Sequence, residues 1–213
     1  MKNRMIVTLT GPSCAGKSTL EAMLNERGFR SVISTTTRPM RAGEVDGKNY
    51  YFVDADKFAR LNADGKFVEY VNFNGHHYGV TEMEIEASFS KGESVVIVVD
   101  PSGQHQIKRF AQSKGWIVYS VFVTNPATII AKRFMERFTC DMASRSAKDS
   151  SKQLEVVKTH SARLGAMMTE ERDWIVQAAT TGRYDMFMTR FDEMNSDSVV
   201  DEIIKRARLR EAA

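Results

Sequence analysis

The stretch LTGPSCAGKSTL, residues 9–20, has a glycine and lysine spacing that is typical of phosphate-binding loops. Gly11 and Gly16 are separated by four residues, and Lys17 and Ser18 follow at once. The glycines allow successive backbone N–H groups to turn toward phosphate oxygens, and the lysine ammonium adds positive charge. The pattern therefore predicts a site for the phosphates of a nucleoside triphosphate.

Most positions of this loop are expected to contact ATP. They are Gly11, Ser13, Cys14, Ala15, Gly16, Lys17, Ser18 and Thr19. Ser18 is also the predicted ligand of Mg²⁺, because a hydroxyl at this place in the loop faces the metal that accompanies ATP. The loop by itself is compatible with a switch protein, a motor or a kinase.

Further along, the segment STTTRPMRAGEVDGKNYYFV, residues 34–53, carries Arg38 and Arg41 and ends in a pair of tyrosines. An arginine fork binds a phosphate dianion through parallel hydrogen bonds, so the two arginines with Tyr50 predict a cradle for a monophosphate. The segment FVEYVNFNGHHYGVT, residues 67–81, adds Tyr78 and a carboxylate, Glu69, among apolar residues.

At these residues the chain resembles the guanylate kinase family. The family's runs S-x-T-T-R-x-x-R-x-G-E-x-x-G-x-x-Y and F-x-E-x-x-x-x-x-G-x-x-Y-G occur here in order, between the phosphate loop and VVDPSGQ at residues 98–104. The resemblance is close over about residues 5–125 and loose beyond them. It implies a P-loop nucleoside monophosphate kinase that transfers the γ-phosphoryl group of ATP to GMP or dGMP.

The resemblance also implies roles for individual residues. Lys17 and Ser18 would hold ATP and Mg²⁺, and Glu69 would accept hydrogen bonds from guanine N1–H and the 2-amino group. Asp100 would be an acid near the monophosphate and the metal. The residues implied in monophosphate binding, chiefly of its phosphate, are Ser34, Arg38, Arg41, Tyr50 and Tyr78.

The predicted lid departs from the family. Arg137 matches its first lid arginine, although Phe138 replaces the glycine that normally follows. Arg163 is the expected second lid arginine, with Arg145 as the alternative, since either could swing over the phosphates when the lid closes. The predicted catalytic set is therefore Lys17, Arg38, Arg41, Asp100, Arg137 and Arg163.

The base pocket departs from the family as well. Val80 replaces a Ser or Thr that faces guanine O6, with Thr81 beside it, and both are expected to line the pocket. Thr189 and Arg190 replace an Asn-Asp pair near the adenine. Loss of a polar partner to the edge of the base reduces discrimination between nucleotide bases. This leaves open a relaxed or specialised kinase of dTMP, dGMP or a modified pyrimidine deoxynucleotide, and a non-catalytic guanylate-kinase-like protein-binding module.

The elements that must position these residues alternate between strand and helix. Apolar runs predict strands at 4–10, 30–35, 94–100, 116–124 and 184–189, with helical patterns at 17–28, 101–114, 126–137 and about 150–178. This order predicts an α/β fold, with a parallel sheet flanked by helices. We expect one domain: a core of 1–34, 93–132 and 171–213, an inserted monophosphate-binding lobe at 35–92 and a helical lid at 133–170.

Composition excludes several classes. The chain has 213 residues, a net charge of +3 and two distant cysteines, so neither a disulfide framework nor a zinc site is indicated. The small charge does not predict nucleic-acid binding, and no apolar run is long enough for a membrane span. We expect a cytoplasmic protein whose partners are small nucleotides. Whether it forms a homodimer stays open.

Overall fold

The computed structural model describes residues 4–41, 43–73, 75–92, 94–144, 150–192 and 195–211. The strands are β1 (Met5–Thr10), β2 (Arg30–Ser31), β3 (Thr35–Thr36), β4 (Tyr51–Phe52), β5 (Phe67–Phe73), β6 (His76–Thr81), β7 (Ser94–Val98), β8 (Ile117–Val123) and β9 (Met186–Met188). The helices are α1 (Lys17–Glu26), α2 (Ala55–Ala63), α3 (Glu82–Phe89), α4 (Pro101–Ser113), α5 (Ala127–Ser144), α6 (Ser150–Met168), α7 (Glu170–Thr181) and α8 (Ser196–Glu211).

A parallel sheet forms the centre of the molecule, with the strand order β2-β7-β1-β8-β9. β1 lies in the middle and is buried along its whole length, as its sequence MIVTLT predicts. One face packs on α1 and α8 through residues such as Leu24 and Ile203, and the other on α3 and α4 through Ile85 and Ile107. The predicted α/β fold with helices on both faces is confirmed.

A second, smaller sheet has the order β4-β3-β6-β5 and takes all its strands from residues 35–81. Its β5 and β6 form an antiparallel hairpin in which Glu69 pairs with Val80 and Phe73 with His76. Since side chains alternate along a strand, Glu69 and Phe73 point to the same face. That face looks toward the carboxyl ends of the parallel strands, where the phosphate loop lies.

Two sequence-based element boundaries were wrong. The strand predicted at 30–35 is two short strands, because the chain leaves the large sheet after Val32 N donates to Val96 O and joins the small sheet at Thr35. The helix predicted at about 150–178 is broken at Thr169, whose φ of −118° and ψ of −95° are not helical. This break separates α6 from α7. No helix in the described residues has the length and apolarity that a bilayer crossing requires.

Candidate active site

The phosphate loop joins β1 to α1, as the sequence predicts. Gly11 adopts a φ of 148°, and a Cβ there would lie 1.9 Å from the carbonyl oxygen of Val123 on the neighbouring β8. Gly16 caps α1 in a left-handed conformation with a φ of 101°. Both positions therefore require glycine, and together they direct the loop's N–H groups and the start of α1 into the same space.

Lys17 is held against the loop itself. Its Nζ donates to the carbonyl oxygens of Gly11 at 2.6 Å and Pro12 at 2.8 Å. Burial lowers the pKa of Lys17 to about 8, and the negative charge of Glu171 opposes that shift. A buried ammonium with a lowered pKa gains stabilisation from any anion that enters beside it.

The loop lines a cavity of about 530 Å³, here called the loop cavity. All the predicted ATP-contacting residues from Ser13 to Thr19 face it. It is also lined by Met23, Phe191, Asp192 and Ser196. The space therefore combines loop backbone suited to phosphates with side chains that a nucleoside could contact.

A second space of about 180 Å³, the inner cavity, adjoins the first. Both cavities are lined by Ser13, Lys17, Arg41, Tyr50, Val98 and Arg163. The inner cavity also brings together most of the side chains that the sequence predicts for the monophosphate. They are Ser34, Arg38, Arg41, Tyr50, Glu69, Tyr78 and Asp100. The two spaces meet at a cluster of cationic side chains.

Glu44 sets the position of Arg38. The two guanidinium N–H groups donate to the Glu44 carboxylate at 2.8 and 3.0 Å, and the backbone N–H of Arg41 donates to the same carboxylate at 2.7 Å. The guanidinium also lies 5.3 Å from the ring centroid of Tyr50. Glu44 lies within the sequence motif but was not predicted as a site residue. Its place three residues after Arg41 is a spacing that allows the observed bond to the Arg41 N–H.

The cationic cluster combines the phosphate loop and the segment around Arg41 with helices α5 and α6. Arg41 lies with Arg137 of α5 and Arg163 of α6 along the loop cavity. Burial and the neighbouring positive charge of Arg163 lower the pKa of Arg41 to about 10. Like charges held together in this way favour binding of a polyanion. Arg145, the alternative lid arginine, lies outside the described residues.

Glu69 lies at the deep end of the inner cavity and is only 3% exposed. Burial raises its pKa to about 8, and Asp100 adds to the rise. Asp100 caps α4 by accepting from the Gly103 N–H at 2.7 Å. A Cβ on Gly103 would approach Glu69 Oε1 to 2.5 Å, so this glycine leaves room for the carboxylate.

Two predicted base-pocket residues do not line the inner cavity. The Val80 side chain is fully buried in the hydrophobic core beside Ile85 and Ile97, because β6 directs it toward the large sheet. The Thr81 hydroxyl caps α3 by accepting from the Glu84 N–H at 3.2 Å. The Val80 side chain thus packs in the core and the Thr81 hydroxyl caps α3, so their contact with the monophosphate stays a prediction.

Sequence reasoning missed the contribution of α7. The Glu171 carboxylate accepts from the Ser13 N–H at 2.8 Å and from the Ser13 hydroxyl at 2.7 Å, and it is 1% exposed. Trp174, one turn further on, lines the inner cavity. No local pattern marks either residue, since their partners lie far away in the chain.

Arg133 and Asn125 form hydrogen bonds with the phosphate loop. Arg133 donates to the Ala15 oxygen at 3.2 Å and to the Phe191 oxygen at 2.9 Å. Asn125 donates to the Ala15 oxygen at 2.7 Å and accepts from the Phe191 N–H at 2.9 Å. These bonds join the phosphate loop to the segment around Phe191, which also lines the loop cavity.

Comparisons with known proteins agree with this architecture. A family profile described as guanylate kinase matches residues 2–172. A guanylate kinase from Bradyrhizobium diazoefficiens is 32% identical over 97% of this chain and 84% of its own length. One from Rhodopseudomonas palustris is 41% identical over 58% of this chain, an alignment that spans little more than half, 56%, of that protein.

A solved structure shares the fold. The crystal structure of guanylate kinase from Anaplasma phagocytophilum superposes with a TM-score of 0.62 and 22% identity, over 100% of this chain and 89% of that one. The profile match and the relative from Bradyrhizobium diazoefficiens show the family as well as the fold. This chain belongs to the guanylate kinase family.

Proposed function

We propose that this chain transfers the γ-phosphoryl group of ATP to GMP or dGMP, with ATP in the loop cavity and the monophosphate in the inner cavity. Its family makes it an enzyme of the ATP-dependent nucleoside monophosphate kinase class. The observation that carries the proposal is the cationic junction, since Lys17, Arg41 and Arg163 each line both cavities.

The chemistry requires positioning and charge neutralisation more than covalent help. Lys17 would contact the terminal phosphates of ATP, and Arg41 would lie between donor and acceptor. Arg137 and Arg163 approach the same place from the lid helices. Arg38, oriented by its two bonds to Glu44, would bind the acceptor phosphate together with Tyr50 and Tyr78.

The residues at the loop fit Mg²⁺. Ser18 is exposed to the loop cavity, and hydroxyl, phosphate and water oxygens are ligands that this ion prefers. Among the described residues no three His, Cys, Asp or Glu side chains are grouped as a metal site. The ion would thus be held by Ser18 and by ATP itself. When bound, it neutralises charge on the β- and γ-phosphates.

Glu69 favours guanine as the acceptor base. An ionised carboxylate at the deep end of the inner cavity accepts two hydrogen bonds from N1–H and the 2-amino group, a pair that adenine, cytosine and thymine lack. The walls beside it are apolar, formed by Val71, Val98 and Val99. A base that lacks these two donors would leave the buried carboxylate without hydrogen-bond partners, which weakens the binding of that base.

A second candidate is a relaxed deoxynucleoside monophosphate kinase that also accepts dTMP or a modified pyrimidine deoxynucleotide. The observation that favours it is the burial of Val80 in the core, at the position where the family has a hydroxyl facing O6. Without a hydroxyl that contacts O6, discrimination between nucleotide bases would depend more on Glu69.

A coupled ADP-release assay over GMP, dGMP, AMP, CMP and dTMP, with ATP and Mg²⁺, separates these functions. We expect GMP and dGMP to be phosphorylated at least ~100-fold more efficiently than the rest, as a polar pair at a base edge allows. Comparable turnover of dTMP would favour the second candidate. Absence of turnover with every acceptor, together with no ATP binding by calorimetry, would instead indicate a protein-binding module.

A further inference from the structure

Helix α7 presents two side chains of the site on one face. Glu171 and Trp174 are three residues apart, and Ala178, four residues further, is buried on the same stripe. Glu171 fixes the start of this helix to Ser13 of the phosphate loop through two hydrogen bonds. These bonds tie the turn of α7 that carries Trp174 to the phosphate loop.

Trp174 lines the inner cavity and is half-buried. Its ring packs on Phe73, with the ring centroids 5.8 Å apart and the planes inclined by 39°. Phe73 is on the same face of β5 as Glu69 and Val71, and all three line the cavity. The lining of the cavity therefore combines a buried carboxylate, aliphatic side chains and an aromatic pair.

We propose that Trp174 is a further substrate-binding residue of this enzyme, which packs on the nucleoside of the bound monophosphate and positions it against Glu69. A planar base suits an aromatic partner, and stacking contributes substantially to nucleotide binding. This inference rests on the proposed function, because it assumes a nucleoside monophosphate in the inner cavity. The family profile ends at residue 172, so Trp174 lies beyond the part of the chain that the profile describes.

The kinetic test is Trp174→Ala. We expect the KM for GMP to rise about tenfold, from the loss of base stacking, while the KM for ATP changes less than about twofold. Trp174→Phe should recover most of the GMP affinity, since it restores an aromatic face. Val176→Ala is the matched control on the same helix, because Val176 is 57% exposed. An unchanged KM for GMP, or an equal rise in both KM values, would overturn the proposal.

Fluorescence provides a readout that does not depend on turnover. The chain has two tryptophans, and Trp116 packs edge-on against Phe89 and Phe110, with ring centroids 5.0 and 5.5 Å away. In a Trp116→Phe protein, Trp174 is the remaining emitter. GMP added without ATP should shift or quench its emission, whereas the emission of Trp174→Phe should not respond. Emission of Trp174 that stays constant while calorimetry shows GMP bound would overturn the proposal.

These readouts separate the inference from the proposed function. If the natural protein phosphorylates no monophosphate, the proposed function fails, although a response of Trp174 to GMP would still support the contact. If turnover of GMP is normal and Trp174 does not respond, only the inference fails. Should Trp174→Ala not fold, Trp174→Phe kinetics and the single-tryptophan titration decide the question.

Discussion

The loop cavity and the inner cavity are formed in different ways. The phosphate end of the loop cavity is shaped by one continuous stretch of backbone between β1 and α1, in which Gly11 and Gly16 have no room or no favourable conformation for a side chain. The inner cavity also touches this loop, but most of its lining consists of side chains that β5, β6, β7, α6, α7 and the loops between strands bring together. The shape of the phosphate loop is thus set by local backbone, whereas the inner cavity and the arginines beside it are set by tertiary packing.

The cationic junction belongs to both cavities, and breaking it should give the largest effect. Arg41→Ala removes a guanidinium that lines each space, so we expect kcat to fall about 10³-fold or more, the scale of an arginine that stabilises phosphoryl transfer. Steady-state kinetics with ATP and GMP measure this loss. Arg60→Ala, an exposed arginine on α2, is the control. Retention of more than a tenth of kcat in Arg41→Ala would remove Arg41 from the transfer step.

Glu69 allows a test of the inner cavity, where the monophosphate would bind. The expected effect is smaller than that of removing Arg41. Because burial raises its pKa to about 8, the carboxyl is largely protonated at pH 6.5 and ionises as the pH rises through 8. Guanine requires the ionised acceptor, so the KM for GMP should fall between pH 6.5 and 8.5. Glu69→Gln should abolish that dependence and raise the KM about 100-fold at pH 8.5.

The control for this second prediction is Glu26→Gln, an exposed carboxyl on α1. Its pH profile should match that of the natural protein. A KM for GMP that is constant from pH 6.5 to 8.5 in the natural protein would contradict the assigned role of Glu69, since an acceptor that titrates in this range must impose a dependence.

The contrast between the cavities also explains which parts of the fold and of the candidate site were predictable from the sequence. The phosphate loop and the arginine pair were predictable because each lies in a short contiguous pattern, and the parallel sheet because apolar strands alternate with helices along the chain. Glu171 was not, since its partner Ser13 is 158 residues away and nothing near it in the chain encodes that contact. Val80 was assigned to the pocket by its position in a motif, whereas packing between two sheets directs it into the core.

The central claim is that the two nucleotides lie end to end across one cationic junction. Isothermal calorimetry with adenosine and guanosine joined 5′ to 5′ by five phosphates tests it most directly, because this compound spans both cavities. We predict one-to-one binding that prevents both ATP and GMP from binding and that is weakened in Arg41→Ala. Unchanged affinity for either nucleotide when the protein is saturated with the compound would contradict the claim.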